Sequence, residues 1–282
     1  MIVVTGATGN VGRSLVRFLV GAGEQVTATS RSVADAELPE QVVRKAADLV
    51  DAESLRPVLD GADALFLQNG GPSAHRLDPA HLVDVAKAGG VRRIVLLSSQ
   101  GVATRPDTAS HGEVARHIED AVRQSGLEWT VLRPGGFASN TYAWAESVRT
   151  TRTFAAPFGD VGLPVVDPDD IAEVAAVTLR AEGRHAGRIH ELTGPALVTP
   201  RQQAKAIGAA LGEPVRFVEQ SRDEARAQML RFMPEPVVDT TLDIVGEPNA
   251  GELRVSPDTE LVLGRAPGTY GDWARRHVAA FR

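Results

Sequence analysis

The chain of 282 residues contains no cysteine. That absence excludes a disulfide framework, thiolate metal sites and cysteine catalysis together. Aromatic residues are scarce, at 5% with only two tyrosines, so chemistry that needs a tyrosine has few places to find one. Positive charge is also in deficit. Thirty lysines and arginines stand against 36 acids, a net charge of -6, which leaves no basic footprint for nucleic acid. No apolar run approaches the roughly 18 residues of a bilayer span, so no membrane partner is expected. Met1 leads straight into Ile2-Val3-Val4-Thr5 with no charged lead or cleavage signal, which makes the cytoplasm the expected compartment. His75 and His81 have no partners at metal-ligand spacing, and no metal is expected. What remains, 43% hydrophobic and 23% charged residues, suits one large domain or a core with a smaller lobe.

Short apolar runs alternate with helical patterns through the first half. Strands are predicted over Ile2–Thr5, Gln25–Ser30, Val42–Ala46, Ala64–Gln68, Ile94–Ser98 and Thr130–Arg133. Between them, spacings of three and four mark helices with one buried face, as in Val11-Leu15-Phe18-Leu19-Ala22 and Val114-Ile118-Ala121-Val122. Strand runs without strict alternation indicate a sheet buried on both sides, so the predicted fold is α/β, a doubly wound parallel sheet of Rossmann type. After about Asn140 the rhythm changes, and Pro157, Gly159, Gly162, Pro164 and Pro168 break the chain into a loop. A helix is expected near Asp169, a strand over Ile189–Thr193, a helix capped by Thr199 and running to about Leu211, and another with capping-box spacing at Ser221 and Glu224. Residues 1–138 and 165–195 are assigned to the dinucleotide domain. Residues 139–164 and 196–282 are assigned to a smaller, mostly helical substrate lobe over the C-terminal ends of the strands.

Thr5-Gly6-Ala7-Thr8-Gly9-Asn10-Val11-Gly12 lies between the first strand and the first helix. Glycines here permit the tight turn, let backbone approach a pyrophosphate and let the helix pack closely on the strand. The helix start then offers free N–H groups to the phosphates. The second strand ends Thr29-Ser30-Arg31-Ser32 with no acid before Asp35. NAD specificity needs an acid there for the ribose hydroxyl, whereas a cation suits the 2′-phosphate of NADP(H). Arg31 and Ser32 are the candidates for that phosphate, with Arg13 a second cation.

The G-x-x-G-x-x-G spacing resembles the atypical short-chain dehydrogenase/reductases, and more closely their NmrA-like branch. Asp48-Leu49, Ile94-Val95-Leu96-Leu97-Ser98-Ser99, the segment Ser125–Gly135 with Phe137 and Asn140 after it, and Tyr270-Gly271-Asp272-Trp273 carry the resemblance. It is specific over residues 1–140 and about 165–195, and looser over the C-terminal lobe. The branch includes NADPH-dependent quinone reductases and redox-sensing regulators. The resemblance implies cofactor contacts from Gly6, Thr8, Gly9, Asn10, Val11 and Gly12, from Arg31, Ser32, Asp48 and Leu49, from Gln68, Asn69 and Gly70, and from Ser98, Pro134, Gly135 and Phe137, with Asp48 facing the adenine.

The Tyr-x-x-x-Lys pair of the larger superfamily falls at His111 and Ala115, and its serine at about Gln100, so that catalytic set is lost. His111 and Tyr142 are the remaining candidate proton donors, Tyr142 being more readily a wall of the substrate pocket. Phe137, Trp144, Phe154, Phe158 and Met229 are candidates for an apolar lining. The leading reading is an NADPH-dependent reductase of a small apolar or aromatic substrate such as a quinone, enone, carbonyl or imine, acting as a monomer or homodimer. A dinucleotide sensor without turnover, and a cyclase or isomerase that keeps the dinucleotide structurally, remain open alternatives.

Overall fold

The first strand, β1 (Ile2–Thr5), is buried at every residue in the computed structural model of the chain, which describes all residues except 35 and 69–74, and of 109 and 111 only the backbone. It sits in the middle of a seven-stranded parallel sheet together with β2 (Val26–Ser30), β3 (Val43–Ala46), β4 (Ala64–Gln68), β5 (Arg93–Leu97) and β6 (Glu128–Pro134). The remaining pair of strands in the lobe, β7 (Thr153–Pro157) and β9 (Arg216–Gln220), brackets the last strand of the main sheet, β8 (Arg188–Leu192). The main sheet runs in the order β3-β2-β1-β4-β5-β6-β8. The chain therefore winds outward in one direction from β1 and returns to β4, and the crevice beside these two neighbours is the topological switch point. The predicted strands start or end within two residues of those observed.

Helices cover both faces. On one, α1 (Asn10–Gly21) packs on α7 (Pro168–Arg180), burying Leu15, Val16, Leu19, Ile171 and Ala175 against Val4, Phe66 and Val95. On the other lie α2 (Arg56–Leu59), α3 (Pro79–Ala88) and α5 (Val114–Gln124), whose Leu59, Val85 and Ile118 meet Val3, Leu65 and Ile94. Successive residues of one strand thus serve opposite cores, which is why its runs are apolar without alternation. The short α4 (Gly101–Thr104) and a π-helical turn over Ala109–Glu113 lead into α5.

The lobe comprises α6 (Ala145–Thr151), α8 (Pro200–Leu211), α9 (Arg222–Met229), α10 (Glu235–Gly246), α11 (Asp258–Leu263) and α12 (Tyr270–Arg276). Thr199 and Ser221 cap α8 and α9 in full capping boxes, as their spacing predicts. The helix expected near Asp169 is α7, capped by Asp167 with Asp169 and Asp170 in its first turn. The lobe is not wholly helical. Strands β7 and β9 pair in parallel as a separate two-stranded sheet, and Phe154 from β7 is fully buried with Trp273 and Phe281 beneath α8 and α12.

At the junction of β1 and α1 a side chain is sterically forbidden. A Cβ on Gly12 would lie 2.2 Å from the carbonyl oxygen of Gly6. We expect Gly12→Ala to lower stability by about 2–3 kcal/mol or more, because backbone on both sides cannot yield. Gly21→Ala, at the other end of α1 with nothing within 4 Å of the new methyl, should instead raise stability by roughly 0.5 kcal/mol. Urea unfolding of both variants checks the contrast.

Candidate active site

A cleft of about 250 Å³ opens at the switch point. Its walls are the glycine loop at Gly6, Thr8 and Gly9, the end of β2 with Thr29 and Ser30, then Arg31 and Ser32, with Asp48, Leu49 and Gln68 opposite. Gly6 has φ +59°, where L side chains are strained, and a Cβ there would run into the Gln68 side chain at 2.7 Å. The loop needs glycine at Gly6 for conformation and at Gly12 for packing.

No side chain caps α1, and its first turn holds no acid. By contrast α3, α7, α8, α9 and α12 are capped by Asp78, Asp167, Thr199, Ser221 and Thr269. The free N–H groups and partial positive charge at the start of α1 therefore face the cleft, the environment an anionic group seeks. Two further features fit a dinucleotide. The Thr29 and Ser30 hydroxyl oxygens are buried at the cleft with no hydrogen-bond partner among the described residues, which leaves them available to a ligand. Arg31 is exposed and, among the described residues, makes no ion pair or hydrogen bond. Arg13, the other candidate cation, is held to the Thr8 carbonyl at 3.2 Å. Asp48 lines the cleft while one of its carboxylate oxygens accepts from the Val50 N–H.

A second, larger cleft of about 520 Å³ lies beyond the ends of β5 and β6. Ser99, Gln100, Pro134, Gly135 and Asn140 form its strand side, and residues of α9 and α10 form the other. Gln100 is buried and fixed by a bond from its amide nitrogen to the Gly251 carbonyl at 2.9 Å. Among the described lining residues Glu252 is the only carboxylate, and there is no lysine, arginine or histidine. Arg105 clamps Glu252 with two bonds, at 2.7 and 2.9 Å, so that its charge is already matched.

Several residues singled out in the sequence lie elsewhere. Ser98 does not reach either cleft. Its hydroxyl donates to buried Glu119 at 2.5 Å, and Glu119 in turn takes two bonds from Arg133, at 2.9 and 2.6 Å. This network ties the ends of β5 and β6 together beneath the second cleft. Tyr142, expected as a donor or a pocket wall, turns away from both clefts. Its hydroxyl meets His277 Nδ1 at 2.8 Å, and its ring packs against Trp273 and Phe281. Burial, reinforced by Asp169 and Asp167, raises the Tyr142 pKa above its ordinary value, the opposite of what a proton-exchanging tyrosine needs. Burial lowers the pKa of His277, against the opposing pull of Asp169 and Asp167. Phe137 packs into the core beside α7 and bridges to Val166, while Asn10 donates to the Ser139 hydroxyl at 3.1 Å. Val11 is a core residue of α1. Trp144 and Met229 do line the second cleft, whereas Phe154 is core and Phe158 lies under α10. Asn69 and Gly70 lie outside the described residues. The backbone of His111 lies in the π-helical turn, and its side chain is outside the description.

Residues 6–182 match the protein family described as NAD(P)H-binding. The chain belongs to this family, in its NmrA-like branch of atypical short-chain dehydrogenase/reductases. It is 35% identical over its whole length to the (4-alkanoyl-5-oxo-2,5-dihydrofuran-3-yl)methyl phosphate reductase of Streptomyces griseus, covering 99% of that protein. It is 32% identical to the NAD(P)H azoreductase of Xenophilus azovorans, again over 100% of this chain and 99% of the relative. Among solved structures, an NADPH-dependent quinone oxidoreductase of Escherichia coli superposes with a TM-score of 0.76 at 26% identity, over 98% of this chain and 99% of that one. The chain is thus an NAD(P)H-dependent oxidoreductase of a family that reduces varied small molecules. No helix among the described residues is long and apolar enough to cross a membrane, and no group of three metal-ligating side chains occurs among them.

Sequence reasoning missed most of the α10 wall: Val237, Ile244 and Val245 line the second cleft. The signal was present, since Val237, Val238, Leu242, Ile244 and Val245 make α10 apolar on two faces, one more than packing in the lobe requires.

The geometry of Gly9 yields a direct test. Its backbone, at φ -80° and ψ 177°, suits any residue, and an added Cβ would meet only the Gly6 carbonyl oxygen at 3.3 Å. Gly9→Val should therefore fold yet lose at least about 100-fold in dinucleotide affinity, because the side chain projects where a phosphate would approach the helix start. Circular dichroism and NADPH titration of the variant check both halves.

Proposed function

We propose that this oxidoreductase uses NADPH to reduce a small, uncharged, apolar or aromatic acceptor, with quinones the best fit. The observation that carries the reading is the second cleft, whose described walls offer neither a cation nor a free acid. The dihydronicotinamide supplies a hydride, which with one proton from solvent completes a two-electron reduction. Gly6, Thr8 and Gly9, with the start of α1, would hold the pyrophosphate, and Thr29, Ser30, Arg31 and Ser32 the adenosine ribose and its 2′-phosphate. Pro134, Gly135 and Gln100 border the second cleft on the strand side, where a nicotinamide and acceptor would meet.

The chain's own contribution is orientation and exclusion of water. A ketone reduced by hydride leaves a strongly basic alkoxide and needs a positioned acid. A quinone leaves a hydroquinone anion, stable enough to take its proton from water. A cleft whose described walls lack a free acid suits the quinone. The Streptomyces griseus relative is named for a substrate bearing a phosphate. The absence of a cation among the described lining residues favours an acceptor without one here. The azoreductase and quinone oxidoreductase names describe uncharged acceptor groups, in keeping with this cleft.

Two expectations follow for variants. Arg31→Ala should weaken NADPH binding roughly 10- to 150-fold, the loss of one charge-assisted contact, and leave NADH affinity nearly unchanged. Calorimetric titration of both cofactors measures this, and equal losses would contradict the NADPH assignment. His111→Ala should keep most of its activity with a quinone. Should a carbonyl compound prove to be a substrate, the same change should lower its turnover at least about tenfold with NADPH affinity unaltered, as loss of a general acid requires.

A further inference from the structure

We infer that the acceptor is an uncharged amphiphile, with a polar reducible head and an unbranched alkyl tail, and that the tail lies in a slot along the part of the second cleft walled by α9 and α10. The inference rests on the reading of the chain as a reductase and names the substrate class of the same site.

The walls of the second cleft differ in polarity. Ser99 and Gln100, after β5, and Asn140, in the turn after β6, stand on the strand side, where the head would meet the cofactor. The side formed by α9 and α10 carries Gln228 and Thr241 but is otherwise apolar, with Met229, Met233, Val237, Ile244 and Val245. Methionine and branched aliphatics make an adaptable wall for a flexible chain, whereas a second flat ring system is better matched by aromatic walls. At the tip of the hairpin, Leu230 and Phe232 remain 40% and 63% exposed, and Phe232 also lines the cleft, so the mouth is apolar as well.

The slot is braced against collapse. On the side away from the cleft, Arg226 bonds Asp239 at 2.7 Å and also Glu235, and Arg222 bonds Asp243 at 2.6 Å, linking α9 to α10. Ala225, Val238 and Leu242 fill the interior of the hairpin, so the cleft-facing residues of α10 are surplus to its packing. Phe158 sits beneath the C-terminal end of α10 with φ +53°, a strained backbone for a phenylalanine. Its ring lies so near Gly246 that a Cβ there would be 2.6 Å away. Strain retained at this wedge is consistent with a position of α10 that the site requires. A charged tail is disfavoured, because the only ionisable group in the described lining is Glu252, itself negative and already paired with Arg105.

The test is a binding series that needs no turnover. The NADP⁺-loaded protein is titrated calorimetrically with 2-alkyl-1-naphthols, from methyl to octyl, and with chains ending in an alcohol or a phosphate. Affinity should rise about three- to fourfold per methylene until the slot is full, then level off. A terminal phosphate should weaken binding at least about 30-fold relative to the alcohol. Ile244→Phe should bring the plateau to shorter chains, and the wild-type series stands by itself if that variant does not fold. An affinity independent of chain length, or a phosphate bound as well as the alcohol, would overturn the inference even if the matching quinones are reduced. A rising series without NADPH oxidation by those quinones would support the slot and overturn the reductase reading instead.

Discussion

The bare start of α1 against the end of β1 is the constraint on which the rest of the site depends. Gly12 lets the helix approach so closely that no side chain fits between it and the Gly6 carbonyl. The helix is aimed across the switch point with no residue capping it, a local arrangement that leaves polar groups unsatisfied unless water or a ligand supplies the partner. Around it, the Thr29 and Ser30 hydroxyls and Arg31, none with a partner among the described residues, add to the same deficit. Asp167, Thr199, Ser221 and Asp78 cap the starts of α7, α8, α9 and α3, whereas the start of α1 at the cleft has no such cap. On the proposed reading, the open start is what would make a sheet with helices on both faces into a dinucleotide site.

The second lobe adds what the sheet cannot provide, an apolar space next to the strand ends. Its connection to the core is polar and specific. Arg105 after α4 grips Glu252, Asn249 donates to the Thr104 carbonyl at 2.9 Å, and Gln100 reaches Gly251. These bonds fix the segment that follows α10 to the rim of the core. The Ser98–Glu119–Arg133 network ties the ends of β5 and β6 to α5. A buried ion pair of this kind contributes more to geometry than to stability, and that geometry is the property a hydride-transfer site needs.

The Rossmann half was legible in the sequence because its signals are local. Four-residue apolar runs, helical spacing and a glycine loop each show within a dozen residues, and the capping boxes at Thr199 and Ser221 are equally local. Strands β7 and β9 escaped notice for the opposite reason. Thr153-Phe154-Ala155-Ala156-Pro157 and Arg216-Phe217-Val218-Glu219-Gln220 are short, one ends in proline, and each becomes a strand only through a partner some sixty residues away. Tyr142 shows the same limit at the level of one side chain. Its place after Asn140 put it near the substrate region, but its direction is set by His277 and Trp273 in the C-terminal segment, far along the chain. Ser98 is a further case, since its hydroxyl is taken by Glu119 on α5, well along the chain.

Backbone amide exchange measures the central claim most directly. If the uncapped start of α1 receives the pyrophosphate, saturating NADPH should slow exchange strongly at residues 9–13 and at residues 30–32 beyond β2. The N-terminal turns of the capped helices α8 and α9 should change little. Protection confined to the lobe, or no change at residues 9–13 under saturating NADPH, would contradict the account.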